Sequence, residues 1–224
     1  MKIIYSVNIG GYDNFNTPRL VDSNVRYILF TDNKIIKSKV WEIQHVDFLS
    51  NLDNRKKARY IKLNPHKILP NHEVSLWVDH NLIPKIGNFK IFLKNIGWDS
   101  NKNIMAYKHR IRNCIYDECQ KVIEIKKESE TIAKKQIEKY KTEGFPKNYG
   151  LFETGFLLRR NNEENSKFND LWWNEVNLGS GRDQLSQMYV SWKLNLKINE
   201  IGLGESAYKN QFSESVGHIK NFKI

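Results

Sequence analysis

Apolar residues along this chain fall into short runs that stop abruptly at polar ones, with helical repeats filling the spaces between. Residues 2 to 8 (Lys-Ile-Ile-Tyr-Ser-Val-Asn) predict a first strand, followed by a Gly10-Gly11 turn able to bring backbone close to a ligand. Val25 to Phe30 predicts a second strand ending at Thr31-Asp32-Asn33, and Val40 to Ile43 a third. Asp53 is placed to cap a helix through Arg55, Ala58, Arg59, Ile61 and Lys62 that Pro65 limits. Val74 to Val78 is a run of buried character that ends in Asp79-His80-Asn81. Further on, the pattern predicts a helix over 88–96, a strand over 104–107, helices over 111–122 and 128–142, a strand over 151–158 and helices over 169–176 and 183–190. Gly144-Phe145-Pro146 should stop the helix over 128–142. This alternation is that of an α/β domain with a predominantly parallel, mixed central sheet flanked by helices.

At 224 residues one domain over 1–224 accounts for the chain, with a tail from about 203 to 224 free to wrap across it. Composition adds charge: 36 Lys plus Arg against 25 Asp plus Glu leave +11. Such a field suits phosphorylated small molecules, nucleic acid or anionic membrane. The basic residues are dispersed and carry no zinc-finger spacing or RNA-binding signature, so nucleic acid is not expected. Cys114 and Cys119 are too few and too close for a disulfide framework, and no run is long enough to span a bilayer or form a signal-peptide core. The expectation is a cytoplasmic protein whose basic face can rest on the anionic surface of a membrane.

Ligands of open α/β sheets bind beyond the carboxyl ends of the strands, and the candidate chemistry clusters there. Asp79 and Asn81, two residues apart and facing the same way if the chain stays extended, offer hard oxygens for Mn²⁺ or Mg²⁺ beside a phosphorylated substrate. His218 in the tail is able to complete that set. Asn8, Gly10, Tyr12, Phe30, Thr31, Asp32, His80, His109 and Arg110 rim the same cleft; Tyr12 and Phe30 can line a base, although core is the commoner place for a residue like Phe30, and Asp32 can accept from base or ribose. His80 faces away from Asp79 and is a sugar or supporting contact. Arg55, Arg59 and Lys62 share a helical face, and there they can neutralise a departing diphosphate. In Arg182-Asp183-Gln184, Asp183 either caps the following helix or acts at an acceptor hydroxyl or sugar carbon, with Gln184 bonding the sugar. Trp172-Trp173 offers a sugar-stacking surface, with at least one of the two expected in the core, and Glu153 and Glu175 are further carboxylates on the acceptor side.

The order of these motifs resembles the TOD1/MUCI70 glycosyltransferase-like family. The likeness runs through Phe30-Thr31-Asp32, Arg55 to Lys62, Leu76-Trp77-Val78-Asp79-His80-Asn81, and His109 with Arg112-Asn113-Cys114-Ile115-Tyr116-Asp117-Glu118. It continues in Glu143-Gly144-Phe145-Pro146, Gly150-Leu151, and Trp172-Trp173 leading to Ser180 through Ser186. It implies a GT-A-like nucleotide-binding fold and an Asp-X-Asp metal site in which Asn81 replaces the second aspartate. It also implies that Asp183-Gln184 lies beside the donor sugar and that His218 completes the metal set, with the tail closing over the nucleotide.

The expected activity is transfer of a sugar from a nucleoside-diphosphate sugar, UDP-linked, to a glycan or lipid-linked acceptor hydroxyl. Asp183 would be the base if the sugar inverts, or would stabilise the positive sugar carbon if configuration is retained. The alternatives are metal-dependent hydrolysis of a nucleotide-sugar or another phosphodiester, and a non-catalytic basic module that binds nucleic acid or an anionic glycan.

Overall fold

The computed structural model describes residues 1–202 and 204–218. Seven strands form one sheet: β1 (Lys2–Asn8), β2 (Val25–Thr31), β3 (Glu42–His45), β4 (Val74–Val78), β6 (Ile104–Lys108), β7 (Phe152–Arg160) and β8 (Ile198–Glu200). Their order is β3-β2-β1-β4-β7-β6-β8, and β5 (Leu82–Pro84) pairs separately with β9 (Ser213–Ser215). Strands β1 to β4 run parallel, β7 runs antiparallel to β4 and β6, and β8 returns parallel to β6. The sheet is therefore mixed and mostly parallel, as the pattern predicts.

Alternate residues of the central strands feed two cores. Ile3, Tyr5, Trp77 and Leu157 face one side, Ile4, Leu76, Val78 and Leu158 the other. Burial on both faces explains why β4 is an unbroken apolar run apart from Ser75. Helices α1 (Asn54–Leu63), α2 (Pro65–Ile68), α4 (Ile115–Glu124), α5 (Glu130–Thr142), α6 (Glu163–Leu178) and α7 (Gln184–Lys193) contribute apolar residues to the first core, and α3 (Phe89–Asn95) to the second. No described helix is long and apolar enough to cross a membrane.

Several boundaries move for identifiable reasons. Asp53 caps α1 by accepting from the Lys56 amide at 2.8 Å and α1 ends before Pro65, both as expected, while Pro65 also opens α2, which the pattern does not predict. The third strand starts at Glu42, because the Ser38 hydroxyl takes the amides of Val40 and Trp41 into a turn. The helix expected from 111 starts at Ile115, because His109 Nδ1 accepts from the amides of Ile111 and Arg112 at 3.3 and 3.0 Å. Helix α6 begins well before residue 169, where Asn162 accepts from the Asn165 amide. The short strands β5, β8 and β9 have no counterpart in the sequence pattern.

One buried cation ties the helical layer to the sheet. Arg159 on β7 is 1% exposed and donates to Asn169 Oδ1 of α6 at 2.8 Å, to the Lys62 carbonyl of α1 at 2.6 Å, and to the Tyr5 hydroxyl of β1. The Tyr5 hydroxyl donates to that same Lys62 carbonyl at 2.8 Å. Removing the guanidinium strands these acceptors without water, so Arg159→Met should lower unfolding stability by about 3 kcal/mol, read as a lower urea midpoint at unchanged slope.

Candidate functional site

The carboxyl ends of β1, β2 and β4 open on one edge of the sheet, and the candidate residues collect there and at the start of α7. Strand β4 does not continue straight through Asp79-His80-Asn81. The Leu82 amide donates to the Asp79 carbonyl at 2.8 Å, which closes a turn. The extended geometry that would align Asp79 with Asn81 is thus absent: Asp79 stays partly exposed while Asn81 is 2% exposed. Asp79 Oδ1 accepts from Trp77 Nε1 at 2.7 Å and lies 3.4 Å from Lys62 Nζ. Its other oxygen faces Gly155, where a Cβ would stand 3.1 Å away. A glycine inside a strand signals this kind of close approach. Gly155 also lies where β7 slips register against β6, a bulge of the sort that re-aims side chains beside a site.

Lys62 joins two loops that are distant in sequence. Its side chain is 1% exposed, lies over the Trp77 ring, and reaches Asp183 Oδ2 at 2.6 Å as well as Asp79. Arg59, one turn earlier, is 3.5 Å from Asp183 Oδ1 and donates to the Gly181 carbonyl at 3.2 Å. Asp183 makes no side-chain cap to α7, so its carboxylate serves this cluster. Burial pushes its pKa up, but Arg59, Lys62 and Arg182 outweigh that and hold the carboxyl well below the usual range. Gln184 donates to the carbonyl of Phe152, the residue before Glu153, at 3.0 Å. Arg182 has no ion-pair partner among the described residues, and its buried Nε has no hydrogen bond.

The remaining candidates form a second group around the β1–β2 edge. Gly10 donates its amide to both Asp32 oxygens at 3.1 and 2.9 Å, Asn8 donates to the Asp13 carbonyl at 3.1 Å, and Thr31 is buried with its hydroxyl taking the Asn33 amide. Phe30 is 3% exposed and belongs to the core, so it does not line a base, whereas Tyr12 is 42% exposed. His218 closes over this loop: its ring centroid is 4.7 Å from that of Tyr12, and its Nδ1 is 2.7 Å from Asp13 Oδ1. That bond raises its pKa, and the charge of Asp79 raises it further. The tail reaches this position through the β5–β9 pair and a bond from the Val216 amide to the Asn81 carbonyl at 3.0 Å. The rest of the expected closing tail, Leu203 and residues 219–224, lies outside the described residues.

His80, His109, Arg55 and Trp172 are placed differently. His80 accepts from the Asn16 amide on Nε2 at 3.1 Å and meets the Ser6 hydroxyl with Nδ1 at 3.3 Å, so both ring nitrogens are engaged in a buried seam. His109 organises its own turn and contacts Arg112. Arg55 lies 3.5 Å from Glu128 and donates to the Lys127 carbonyl at 2.8 Å. Trp172 is fully buried, and Trp173 packs edge-on against Tyr60. Glu175 is enclosed with Lys139 and Tyr140.

Asp13 and Tyr208, which the sequence did not single out, stand beside these candidates, as does the expected acceptor-side carboxylate Glu153. Asp13 holds His218. Glu153 accepts from the Ala207 amide at 2.7 Å, with burial raising its pKa. Tyr208, 44% exposed, has the pKa of its hydroxyl raised by burial and by the charges of Asp79, Glu153 and Asp183. Nothing in the tail sequence announces Tyr208, since only folding brings it to the sheet edge.

Among the described residues no group of three or more His, Cys, Asp and Glu could hold a metal. The protein offers instead the Asp79 carboxylate and Asn81 Oδ1, a buried amide oxygen with no hydrogen-bond partner. An orphaned hard oxygen of this kind suits a Mn²⁺ or Mg²⁺ that takes its other ligands from a diphosphate and water.

A family profile described as TOD1/MUCI70, glycosyltransferase-like domain, matches residues 10–218. The chain is 24% identical over 222 residues to the probable hexosyltransferase MUCI70 of Arabidopsis thaliana, a match covering 88% of this chain and 38% of that protein. It therefore spans well under half the length of that relative. Apo mouse xyloside xylosyltransferase 1 shares the fold, with a TM-score of 0.51 over 90% of this chain and 85% of its own at 9% identity.

Burial of the neutral His80 ring lowers its pKa from 6.5 to about 4. A base with a depressed folded pKa stabilises the fold fully above pH 6.5 and loses that contribution as pH falls toward 4. The loss should amount to about 3 kcal/mol. Urea titrations of wild type and His80→Asn at pH 7 and pH 4.5 should show a smaller pH-dependent drop in the variant; equal drops would remove His80 as the source.

Proposed function

The chain belongs to the TOD1/MUCI70 glycosyltransferase-like domain family and has a GT-A-like fold, and on that premise we propose that it transfers a sugar from a nucleoside-diphosphate sugar to an acceptor hydroxyl. The donor is UDP-linked and the acceptor is a glycan or a lipid-linked glycan. Support comes from one observation above the others: Asp79 and Asp183, from separate loops, converge on the buried Lys62 ammonium at the ligand-binding edge of the sheet. The plant relative is named a probable hexosyltransferase, which points the same way.

Asp79 and Asn81 Oδ1 would hold the divalent ion, with His218, which pairs with Asp13, as the further ligand from the tail. When bound, the ion neutralises the diphosphate as the bond to the sugar breaks. Arg182, whose charge acts on Asp183 without a direct ion pair among the described residues, adds positive charge on the leaving-group side. Lys62 and Arg59 are compensated by Asp183, so their part is to hold that carboxylate in place rather than to neutralise phosphate. Asp183, stabilised as an anion by three cations, is a poor proton acceptor; its part is to favour positive charge as it develops at the sugar carbon. Gln184 and Tyr208 present polar groups toward the bound sugar and acceptor.

A heat-stability screen of nucleotide-sugars with and without Mn²⁺ should give a selective metal-dependent rise of about 5 °C at saturating ligand. Asp79→Ala should weaken Mn²⁺-dependent UDP binding about 10- to 100-fold while the protein stays folded. Binding that ignores both Mn²⁺ and this substitution, but falls steeply with salt, would instead indicate a basic polymer-binding module. Asp183→Asn, which preserves the shape of the cluster, should cut transfer about 100-fold and leave UDP affinity within about threefold. A folded Asp183→Asn protein that transfers normally would overturn the role given to Asp183.

A further inference from the structure

The loop Gly179–Arg182 joins α6 to α7 and delivers Arg182, Asp183 and Gln184 to the cleft, yet it has no regular structure of its own. Its position is set by side chains from outside the cleft. Gln136 of α5 accepts from the Ser180 amide at 3.0 Å and donates to the Glu175 carbonyl at 3.2 Å. Glu128, two residues before α5, accepts from the Ser180 hydroxyl and from the Gly181 amide, both at 2.9 Å and both on Oε2. Its other oxygen accepts from the Ser129 amide at 3.0 Å, and Arg55 of α1 lies 3.5 Å from Oε2. The Glu128 side chain is only 8% exposed.

Gly181 is therefore gripped on both of its backbone groups. Its N–H goes to Glu128, and its carbonyl goes to Arg59, which also pairs with Asp183. There is no room for a side chain at this grip, since a Cβ on Gly181 would stand 2.9 Å from Arg55 Cδ and one on Gly179 would stand 2.8 Å from the Gln136 amide. A charged acceptor bonding a backbone amide is among the stronger hydrogen bonds, and at low exposure no water replaces it.

We infer that Glu128 is a positioning residue for the proposed sugar transfer, fixing the Gly181 peptide so that Arg182 and Asp183 stand opposite Lys62 and Asp79. It touches no reacting group, and it rests on the function proposed above. Glu128 and Arg55 thereby carry the state of the α4–α5 loop into the cleft: whatever displaces residues 126–129 displaces Asp183. Displacement of a catalytic group by about 1 Å is enough to cost about 100-fold in rate.

The test compares Glu128→Ala and Glu128→Gln with wild type, using the nucleotide-sugar found in the stability screen, UDP, and native-state hydrogen exchange over residues 179–185. Glu128→Ala should lower kcat about 100-fold, with UDP affinity and donor KM within about threefold. Glu128→Gln, whose amide oxygen still accepts from Ser180 and Gly181, should recover most of that loss. In an Asp183→Asn background, Glu128→Ala should cost less than about threefold further, because both act through the same carboxylate. Full kcat in Glu128→Ala, or equal loss of kcat and UDP binding, would overturn the proposal. If wild type transfers no sugar at all, the functional proposal fails on its own. Exchange then decides for Glu128: faster exchange at Gly181 and Arg182 in the alanine variant supports the positioning, and unchanged exchange refutes it.

Discussion

The structure of the site depends on one constraint: an ammonium group with almost no access to water must be neutralised by carboxylates. Lys62 meets it with Asp183 at 2.6 Å and Asp79 at 3.4 Å. A buried ion whose partner is removed is strongly destabilising, so the pair fixes where the loop after β4 and the start of α7 must lie relative to α1. Asp183 in turn answers to Arg59, and the Gly181 carbonyl to the same guanidinium. The backbone end of Lys62 is held just as firmly, since its carbonyl takes both the Arg159 guanidinium and the Tyr5 hydroxyl. The result is a single polar column through an apolar layer, from the sheet at β1 and β7 to the cleft.

That column divides the basic residues into two kinds. Lys62, Arg59, Arg55 and Arg159 have their charge or donors committed within the protein, and their work is to hold loops. Arg182 makes no direct ion pair among the described residues, although its charge helps hold Asp183 ionised, and its buried Nε has no hydrogen-bond partner among them. A positive field spread over the whole chain therefore says little about where an anion would be met; the uncompensated groups beside Asp79 and Asp183 say more. The same distinction applies to the histidines. His80 is a neutral ring locked between Ser6 and Asn16, while His218 pairs with Asp13 at the rim.

Much of this was legible in the sequence because it is local. The Asp53 cap, the stop at Gly144, the unbroken apolar run of β4 and the helical spacing of Arg55, Arg59 and Lys62 each depend on residues within a turn or a strand of one another. The family likeness works in the same way, as a series of short motifs in a fixed order. Errors came where a side chain competed with the local pattern. Ser38 captured two amides and delayed β3, and His109 captured two and delayed α4. The turn at Asp79 broke the alternation that would have aimed Asn81 alongside it.

The sequence by itself determined the alternation of strands and helices, the mixed and mostly parallel sheet, and the candidates Asp79, Asn81 and Asp183, because hydrophobic period and strand-end chemistry are written in neighbouring residues. Only the tertiary structure decided which groups face one another: that Lys62 belongs to Asp183, that Arg55 belongs to Glu128, that Trp172 is the tryptophan in the core, and that the tail returns to Asn81. Those pairings join residues tens to more than a hundred positions apart. They follow from desolvation, which forces each buried charge to find its partner in space and leaves no trace of that choice in local order.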